Sequence, residues 1–227
     1  MPRRAYNLGE AANMKDTMRE SLNCIKKALS VSVILLLICG FAYPLAVTGL
    51  AQTIFPHQAN GSMIEEGGRK IGSELIGQDF SSGFFMRGRP SAVNCNTYTK
   101  EQAEKGEYPG AASGSDNFAP SNPKLAERVK SDMADFLAEN PKAKAGDIPT
   151  DLLTASGSGL DPHISPQSAK IQLARISAAS GIPLDKLNSF VAAHTKGRAF
   201  GIFGEENVNV LGVNIEIAKE MGLIKAE

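Results

Sequence analysis

The stretch TASGSGLDPHISP, Thr154–Pro166, holds side chains that many enzymes use for acid–base and nucleophilic chemistry. Ser156 and Ser158 are candidate nucleophiles, His163 is a candidate general base, and Asp161 is a candidate for orienting that base. These residues are close neighbours in the chain, whereas known catalytic triads draw their members from distant segments. Ser158 also stands in Gly-Ser-Gly without the strand–turn–helix frame of a nucleophile elbow. A serine/histidine hydrolase is therefore the alternative interpretation and not the leading one.

The glycines of the same stretch also suit an anion. The backbone amides around Gly157 and Gly159, with the neighbouring serine hydroxyls, would bind a phosphate at the start of the helix expected at Pro166. A P-loop, however, follows its last glycine directly with a lysine, and the next lysine here is Lys170. The glycine pattern alone is therefore a weak indication of a phosphate site.

The third interpretation is a rigid turn. Gly157 and Gly159 permit a positive φ, and Asp161 can accept a hydrogen bond from the backbone that follows it. Pro162 and Pro166 fix φ, which reduces the conformations open to the chain. Such a turn is pre-organised for packing or for docking a partner. The residues assigned to this structural or docking role are Thr154, Asp161, Pro162, His163, Ser165 and Pro166.

Neither metal nor nucleic acid is indicated as a ligand. The histidines His57, His163 and His194 are scattered, and the three cysteines form no paired motif, so no metal site is expected. The formal net charge is +0, which provides no basic field for a nucleic-acid partner.

An apolar run near the N-terminus predicts a membrane anchor. From Ala28 to Gly61 the sequence contains no Asp, Glu, Lys or Arg. About 20 apolar residues in a helix span the roughly 30 Å core of a bilayer, which predicts a transmembrane helix over Leu29–Ala51. A cleaved signal peptide is the alternative, with Gly40-Phe41-Ala42 as its small-residue cleavage pattern. Because apolar sequence continues to Leu50, an uncleaved anchor is favoured.

Basic residues predict the orientation of this helix. Several cations crowd its N-terminal side, and none follows it until Arg69. By the positive-inside rule, residues 1–28 form a cytoplasmic segment and residues 52–227 an extracytoplasmic domain, which is periplasmic in a cell with a periplasm. The hydrolase alternative would then be a membrane-anchored periplasmic enzyme. The cations that crowd this side nearest the helix are Lys15, Arg19, Lys26 and Lys27.

Small residues within the helix predict contact with a second membrane helix. Ala42 and Ala46 are four positions apart and Gly49 follows three positions later, a spacing that lets helices approach closely. Pro44 is expected to kink the helix and to free a carbonyl that a neighbouring helix could help satisfy. Single-span anchors also contain small residues by chance, so both interpretations stay open.

The domain that follows is predicted to be α+β and mostly helical. Arg69–Phe80 indicates a strand and a turn, whereas Lys100–Pro120 indicates a long loop rich in Gly, Ser and Pro. Near the C-terminus, NVNVLGVN indicates another strand, and Asn214 at its end would cap a final helix.

Three further helices are predicted from apolar residues at three- and four-residue steps. They begin near Pro123, Pro166 and Pro183, because proline is tolerated in the first turn of a helix. Asn122 and Ser165 are the expected N-caps of the first two.

Several motifs together closely resemble one family. They are YPLAVTGL in the apolar run, then GSELIGQDF, RPSA, PSNP, DLLTASGSGLDPHISP, the pair Gln172 and Arg175 in Gln-x-x-Arg, and VNVLGVN. In this order they resemble the KdpC family, which belongs to the bacterial high-affinity potassium-transporting P-type ATPase, the Kdp complex. The resemblance runs from about Ser21 to the end of the chain, and the long DLLTASGSGLDPHISP motif is its most specific part.

The resemblance implies a non-catalytic accessory subunit in the bacterial inner membrane, within a complex that uses ATP and potassium. Its partners would be a channel-like potassium-binding subunit, a P-type ATPase subunit and a small single-helix subunit. The family role is assembly and activity, together with a catalytic-chaperone role that raises the ATP affinity of the ATPase subunit. Nucleotide contacts are assigned in the family to the positions of Ser156, Gly157, Ser158 and Gly159.

The predicted orientation disagrees with that nucleotide assignment. ATP is cytoplasmic, whereas the positive-inside rule places Ser156 outside the cytoplasm. We therefore expect no cofactor to bind this chain directly. Any effect on ATP affinity would be indirect coupling through the assembled subunits.

Overall fold

The structure, a computed structural model, describes residues 3–106 and 111–224 of the 227-residue chain. The chain divides after Asn60 into two compact units, Met1–Asn60 and Gly61–Glu227. Helices and two small antiparallel sheets make up the described part, which confirms the predicted α+β class. Residues 107–110, within the predicted Lys100–Pro120 loop, lie outside the described residues.

The N-terminal unit is one nearly continuous helix. α1 spans Arg3–Leu37, a π-helical turn spans Ile38–Ala42, and α2 spans Tyr43–Ile54, after which comes the single turn α3, Pro56–Ala59. The stretch Thr17–Ile54 is long and apolar enough to cross a bilayer. It contains the predicted segment 29–51 and indicates a single-pass membrane protein.

The π-helical turn accommodates Pro44. A proline has no N–H to donate to the carbonyl four residues earlier, which is that of Gly40. The chain widens there into a turn in which Tyr43 N–H bonds to the carbonyl of Ile38. The structure thus has a widened turn just before Pro44, while the kink and the packing against a second helix stay predictions. The residues concerned, Ala42, Pro44, Ala46 and Gly49, are all exposed on the helix.

The second unit opens with a hairpin that sequence reasoning found only in part. β1, Met63–Glu66, pairs antiparallel with β2, Arg69–Ser73. The predicted strand is β2, whereas β1 carries two glutamates and lacks the apolar alternation that indicates a strand. The chain then runs without long regular elements to the short α4, Lys100–Glu104.

The predicted helix at Pro123 is α5, Pro123–Glu139. Asn122 caps it as expected, because its Oδ1 accepts a hydrogen bond from Lys124 N–H at 3.0 Å. Its apolar face packs onto the segment that leads into the TASGSGLDPHISP stretch. The buried residues of this smaller core are Phe136, Ile148, Leu152 and Leu153.

Three helices build the larger core. α6 spans Pro166–Ser180, α7 spans Leu184–Ala193, and α8 spans Val210–Glu220. The first two follow the predicted starts, with Ser165 and Pro183 as their N-caps. The fully buried apolar side chains of this core include Met86, Ala169, Ile176, Leu187, Val208, Val213 and Ile217.

A small sheet joins these helices. β3 is His163–Ile164, β4 is Thr195–Lys196, and β5 is Asn207–Asn209, in the spatial order β3-β5-β4 with antiparallel pairing throughout. Because β3 lies near the end of the TASGSGLDPHISP stretch, its register with β5 (His163 opposite Asn209) fixes that stretch on the core.

The prediction for the last strand and helix was wrong in its boundary. The strand ends at Asn209, and Asn209 is the cap of α8, since its Oδ1 accepts from Gly212 N–H at 2.9 Å. Asn214 therefore lies inside α8. Val210 and Val213 resemble strand residues in sequence, but they are buried core residues of a helix, because tertiary packing overrides a weak local propensity.

Candidate functional site

The stretch Thr154–Pro166, here called the central loop, faces inward for most of its length. Ser156 is 2% exposed and Gly159 is buried, whereas Gly157 and Ser158 are exposed at the surface. Only one short part of the predicted nucleotide-contacting segment is therefore accessible to a ligand.

The backbone of the central loop is bonded to two other segments. Ser156 N–H donates to the carbonyl of Pro90 at 3.2 Å, and the Ser91 hydroxyl donates to the carbonyl of Gly159 at 2.6 Å. Gly114 N–H donates to the carbonyl of Ser158 at 2.8 Å. These bonds use backbone groups that would otherwise be free to bind a partner or an anion.

Gly159 is required by its surroundings. Its φ is +67°, a conformation that side chains other than glycine rarely adopt. A Cβ at this position would lie 2.6 Å from Val93 Cγ2 and 2.8 Å from the Gly114 carbonyl oxygen. Gly157 shows neither constraint, so of the two glycines predicted to need special geometry only Gly159 does.

A charged cluster supports the second half of the loop. Asp161 Oδ2 lies 3.1 Å from Arg89 Nη1, and Asp161 Oδ1 accepts from His163 N–H at 3.0 Å. The His163 side chain first, and then the His163 backbone N–H and Arg89, lower the pKa of Asp161 below its ordinary value, although burial acts in the opposite direction. Arg89 Nη2 also reaches the carbonyls of Thr154 and Ala155. One arginine thus ties the start of the loop to Asp161 in its second half.

Asp151 holds the end of the loop where α6 begins. Its carboxylate accepts from Ser165 N–H at 2.7 Å and from the Ser168 hydroxyl at 2.6 Å. Ser165 Oγ in turn accepts from Ser168 N–H at 3.1 Å, the predicted N-cap. Pro166 occupies the first turn. The positive end of the α6 dipole is therefore matched by a carboxylate of the same chain.

The hydrolase alternative requires a serine that bonds to His163. Within the described residues neither Ser156 nor Ser158 does so: His163 faces Asp161, and the Ser158 hydroxyl accepts from Leu160 N–H at 3.1 Å. Ser156 is buried beneath the loop surface. The geometry places no activated nucleophile here.

The anion interpretation meets a similar obstacle. The amides of Ser156 and Gly159 are bonded within the domain, and Asp151 already occupies the start of α6. Few free N–H donors remain to bind a phosphate. The arrangement fits a braced turn that presents Gly157 and Ser158 at its tip.

Two side-chain amides anchor the irregular segment beneath the loop, and sequence reasoning did not assign them this role. Asn214 bonds to both backbone groups of Met86, accepting from its N–H at 2.7 Å and donating to its carbonyl at 2.8 Å. Gln172 does the same for Arg87, at 2.9 Å and 3.1 Å. The segment is thereby held as a strand would be, with side chains in place of a partner strand.

Arg175 completes this support. Its guanidinium donates to the carbonyls of Gly83 and Phe85 and to Asn140 Oδ1. Its pKa is lowered by burial. The Gln-x-x-Arg pair that the resemblance singled out, Gln172 and Arg175, therefore has a structural role on one face of α6.

A cavity of about 550 Å³ opens beside the loop and is mainly acidic. Its lining includes the carboxylates of Asp151, Asp161, Glu205 and Glu206. Among the residues that the structure describes, no cluster of three or more His, Cys, Asp or Glu side chains could hold a metal ion.

His194 should make the stability of the domain depend on pH. Its ring packs against Gly212 of α8, where a Cβ would clash. Burial lowers its pKa, although Glu216 acts in the opposite direction. The unfolded chain then binds a proton more readily than the folded one. This difference costs no stability above the pKa of the unfolded histidine, about 6.5. Stability falls as the pH drops below that value.

We therefore expect the unfolding midpoint of the full chain in detergent to fall between about pH 7 and about pH 5.5. His194→Gln should reduce this fall, because glutamine does not titrate. The control His57→Gln, on the exposed α3, should leave it unchanged. A wild-type midpoint that is constant over this range would contradict the prediction.

Comparison with known proteins gives a consistent result. Residues 25–219 match the family model described as KdpC: K+-transporting ATPase, c chain. A Potassium-transporting ATPase KdpC subunit from Clostridium kluyveri is 58% identical over 199 residues, which cover 88% of this chain and 95% of the relative. Its counterpart in Clostridioides difficile is 53% identical over 208 residues, covering 89% and 100%. One from Bacillus cereus is 42% identical over 205 residues, covering 90% and 100%.

Proposed function

This chain belongs to the KdpC family of K⁺-transporting ATPase subunits, and on that premise we propose that it works by assembling and stabilising the complex. The family makes it a subunit that is not catalytic by itself. The observation that carries the proposal is the inward-turned central loop. Its polar groups bond to the domain's own backbone and charges, which supports a braced docking element and not a reaction centre.

The proposed orientation puts the N-terminus in the cytoplasm and the folded domain outside. It rests on the basic residues before the apolar helix, which include Lys26 and Lys27, and on the absence of charge from Ala28 to Gly61. In a cell with a periplasm the domain would be periplasmic, and residues 1–28 would be cytoplasmic.

The proposed partners are the other subunits of the potassium transporter. We expect the domain to dock on the outer face of the channel-like potassium-binding subunit, and the helix to pack beside it in the membrane. The small residues Ala42, Ala46 and Gly49 support the second contact, because they allow close helix approach. The proposed set also includes the P-type ATPase subunit and the small single-helix subunit.

The catalytic-chaperone role is proposed to be indirect. Direct nucleotide contact by Ser156–Gly159 would need free amides on the cytoplasmic side, whereas the amides of Ser156 and Gly159 are bonded internally. A change in ATP affinity would then be a coupling free energy carried by the assembled subunits, which is typically about 1–3 kcal/mol in such systems.

Accessibility of two matched cysteines tests the orientation. In a chain whose native cysteines are replaced by serine, Ser158→Cys at the loop tip should react with a membrane-impermeant thiol reagent in intact cells. Met14→Cys, 69% exposed on α1, should react only after lysis. The reverse pattern would overturn the proposed orientation and reopen direct nucleotide contact.

A further inference from the structure

The turns of α1 that lead into the membrane-spanning segment expose an apolar face. Four apolar residues recur there at steps of four, three and four positions, which places them on one side of the helix. They are Met18, Leu22, Ile25 and Leu29, with exposed fractions of 65%, 48%, 61% and 63%. We call these four residues the juxtamembrane stripe. A contiguous apolar surface of this kind indicates an interaction surface.

The juxtamembrane stripe extends beyond the part of the helix that a bilayer core can hold. The apolar helix Thr17–Ile54 has 38 residues, which at about 1.5 Å per residue is about 57 Å, against a core of roughly 30 Å. The segment Leu29–Ala51 alone already fills that core. Met18, Leu22 and Ile25 therefore lie outside it, on the cytoplasmic side in the proposed orientation.

Basic side chains border the juxtamembrane stripe. Arg19 is three positions before Leu22 and Lys26 is four positions after it, so both lie next to the stripe on the helix surface. They are seven residues apart, about two turns, and therefore on the same side. Glu20 lies about 200° around the helix from Met18, on the opposite face. Among the described residues no ion pair engages Arg19, Glu20 or Lys26. The two cations can therefore bind an anionic group beside the stripe.

The segment that carries the stripe is basic as a whole. Residues 1–28 contain six Lys or Arg against three Asp or Glu. The cytoplasmic leaflet of a cell membrane carries anionic lipids, which attract a basic segment next to a membrane helix. The cations are Arg3, Arg4, Lys15, Arg19, Lys26 and Lys27, and the acids are Glu10, Asp16 and Glu20.

Two protein occupants fit the stripe less well than lipid does. A second copy packed parallel along it would bring Met14 and Ser21, and no carboxylate, towards Arg19 and Lys26. For another subunit, the match to the family model begins only at residue 25, so Met18, Arg19 and Leu22 precede the part shared with the family. The bilayer, in contrast, adjoins the stripe at Leu29 in every copy of the chain. No partner must be recruited, so little association entropy is lost.

Ser30 allows the stripe to approach the membrane surface. Its hydroxyl donates to the carbonyl of Lys26 at 2.8 Å, one turn earlier in α1. A serine that bonds back to the carbonyl four residues before it often bends a helix. The bond lies at the junction of the stripe with the membrane-spanning segment. A bend at this point would bring the stripe towards the headgroups while the following helix stays across the bilayer.

We propose that the juxtamembrane stripe lies in the headgroup layer of the cytoplasmic leaflet, where Arg19 and Lys26 bind the phosphates of anionic phospholipids. Its apolar side chains would enter the boundary between headgroups and acyl chains, as in other amphipathic helices of the membrane interface. Glu20, on the opposite face, would point towards water. The choice of leaflet rests on the proposed orientation of the chain, whereas the lipid contact itself does not.

Two spin labels compare the faces of this helix in nanodiscs that contain phosphatidylcholine and phosphatidylglycerol. In a full chain whose native cysteines are replaced by serine, nitroxides are attached at Met18→Cys or at the matched control Glu20→Cys. The label at 18 should collide more with oxygen, which partitions into lipid, and the label at 20 more with a water-soluble nickel chelate. Equal access of the chelate to both labels would overturn the proposal. Spin–spin broadening between two chains in one disc would assign the stripe to a second copy and would also overturn it.

The same labels are then measured in the purified complex, reconstituted into the same discs. The label at 18 should keep its preference for oxygen. A label at 18 that is immobilised and meets neither reagent would show that another subunit covers the stripe, and this result too would overturn the proposal.

Charge substitutions test the anionic headgroups. Arg19→Gln with Lys26→Gln should shift the ratio of inserted to free stripe by about 30-fold towards the free form in discs with phosphatidylglycerol. The ratio in discs of phosphatidylcholine alone should not change. Lys196→Gln with Arg198→Gln removes the same charge from exposed positions of the folded domain and should have no effect. Equal insertion of the unsubstituted stripe in both kinds of disc would overturn the headgroup assignment.

These measurements are independent of the proposed orientation. Both faces of a disc are open, so insertion of the stripe does not depend on which side of the cell membrane it occupies. A reversed pattern in the cysteine labelling of intact cells would overturn the orientation and the choice of leaflet, and a label at 18 that stays in water would overturn the lipid contact alone.

Discussion

Replacing Asn214 with leucine should lower the free energy of unfolding of the domain by roughly 3 kcal/mol. Asn214 is 2% exposed and bonds to both backbone groups of Met86, itself fully buried. Leucine has a similar shape but no polar atoms, so a buried N–H and a buried carbonyl would both lose their partners. Each buried group left unsatisfied costs about 1–3 kcal/mol.

Denaturant unfolding of the full chain in detergent measures this loss. The control is Asn188→Leu on the exposed face of α7, where the amide donates only to the carbonyl of Leu184 one turn earlier. That variant should change stability by about 0.5 kcal/mol or less. If Asn214→Leu lowered stability as little as Asn188→Leu, the two hydrogen bonds from Asn214 to Met86 would not be a main support of the fold.

Gly159→Ala should destabilise the domain by about 2–4 kcal/mol and prevent stable assembly of the complex. The added methyl group would lie 2.6 Å from Val93 Cγ2 and 2.8 Å from the Gly114 oxygen, in a backbone conformation with φ of +67°. Backbone would have to move, and the Ser91 and Gly114 hydrogen bonds to the loop would be disturbed with it. Gly157→Ala provides a matched control, since nothing lies within 4 Å of its added Cβ.

Substitutions at the two exposed residues of the loop, Gly157 and Ser158, separate a structural loop from a nucleotide-contacting one. A ligand reaching the loop from outside would meet the exposed Gly157 and Ser158 first. A structural role predicts that Gly157→Ala and Ser158→Ala assemble normally and leave the ATP affinity of the complex unchanged. Reduced ATP affinity in either variant, with assembly intact, would contradict the indirect role proposed for this subunit.

Local signals in the sequence predicted much of the helical framework. Asn122 and Ser165 cap the helices that begin at the next residue, and Pro123 and Pro166 occupy the first turns of those helices. Such features depend on neighbours in the chain, so a single sequence reveals them. The boundary at Asn209 was harder to place, because two asparagines and several valines leave strand and helix equally plausible locally.

The supports of the candidate site depend on partners far away in sequence. Arg89 and Asp161 are 72 residues apart, and Asn214 and Met86 are 128 residues apart. No periodicity or spacing rule connects such pairs. Composition and pattern therefore gave no reason to choose Arg89 over other arginines as the partner of Asp161. Family resemblance did mark Gln172 and Arg175, but only the folded domain assigns them a role.

The widened turn at Ile38–Ala42 changes the rotational phase of the membrane helix. Its hydrogen bond closes five residues back, from Tyr43 to Ile38, one residue more than in an α-helix. At 3.6 residues per turn, one residue corresponds to a rotation of about 100° about the axis. In an unbroken helix, the face that carries Ala46 and Gly49 would continue in register before Ile38. Because of the widened turn, the side chains before Ile38 are instead rotated by about a quarter-turn relative to that face. A cysteine scan along this segment should show its contact periodicity slip by one position at the turn.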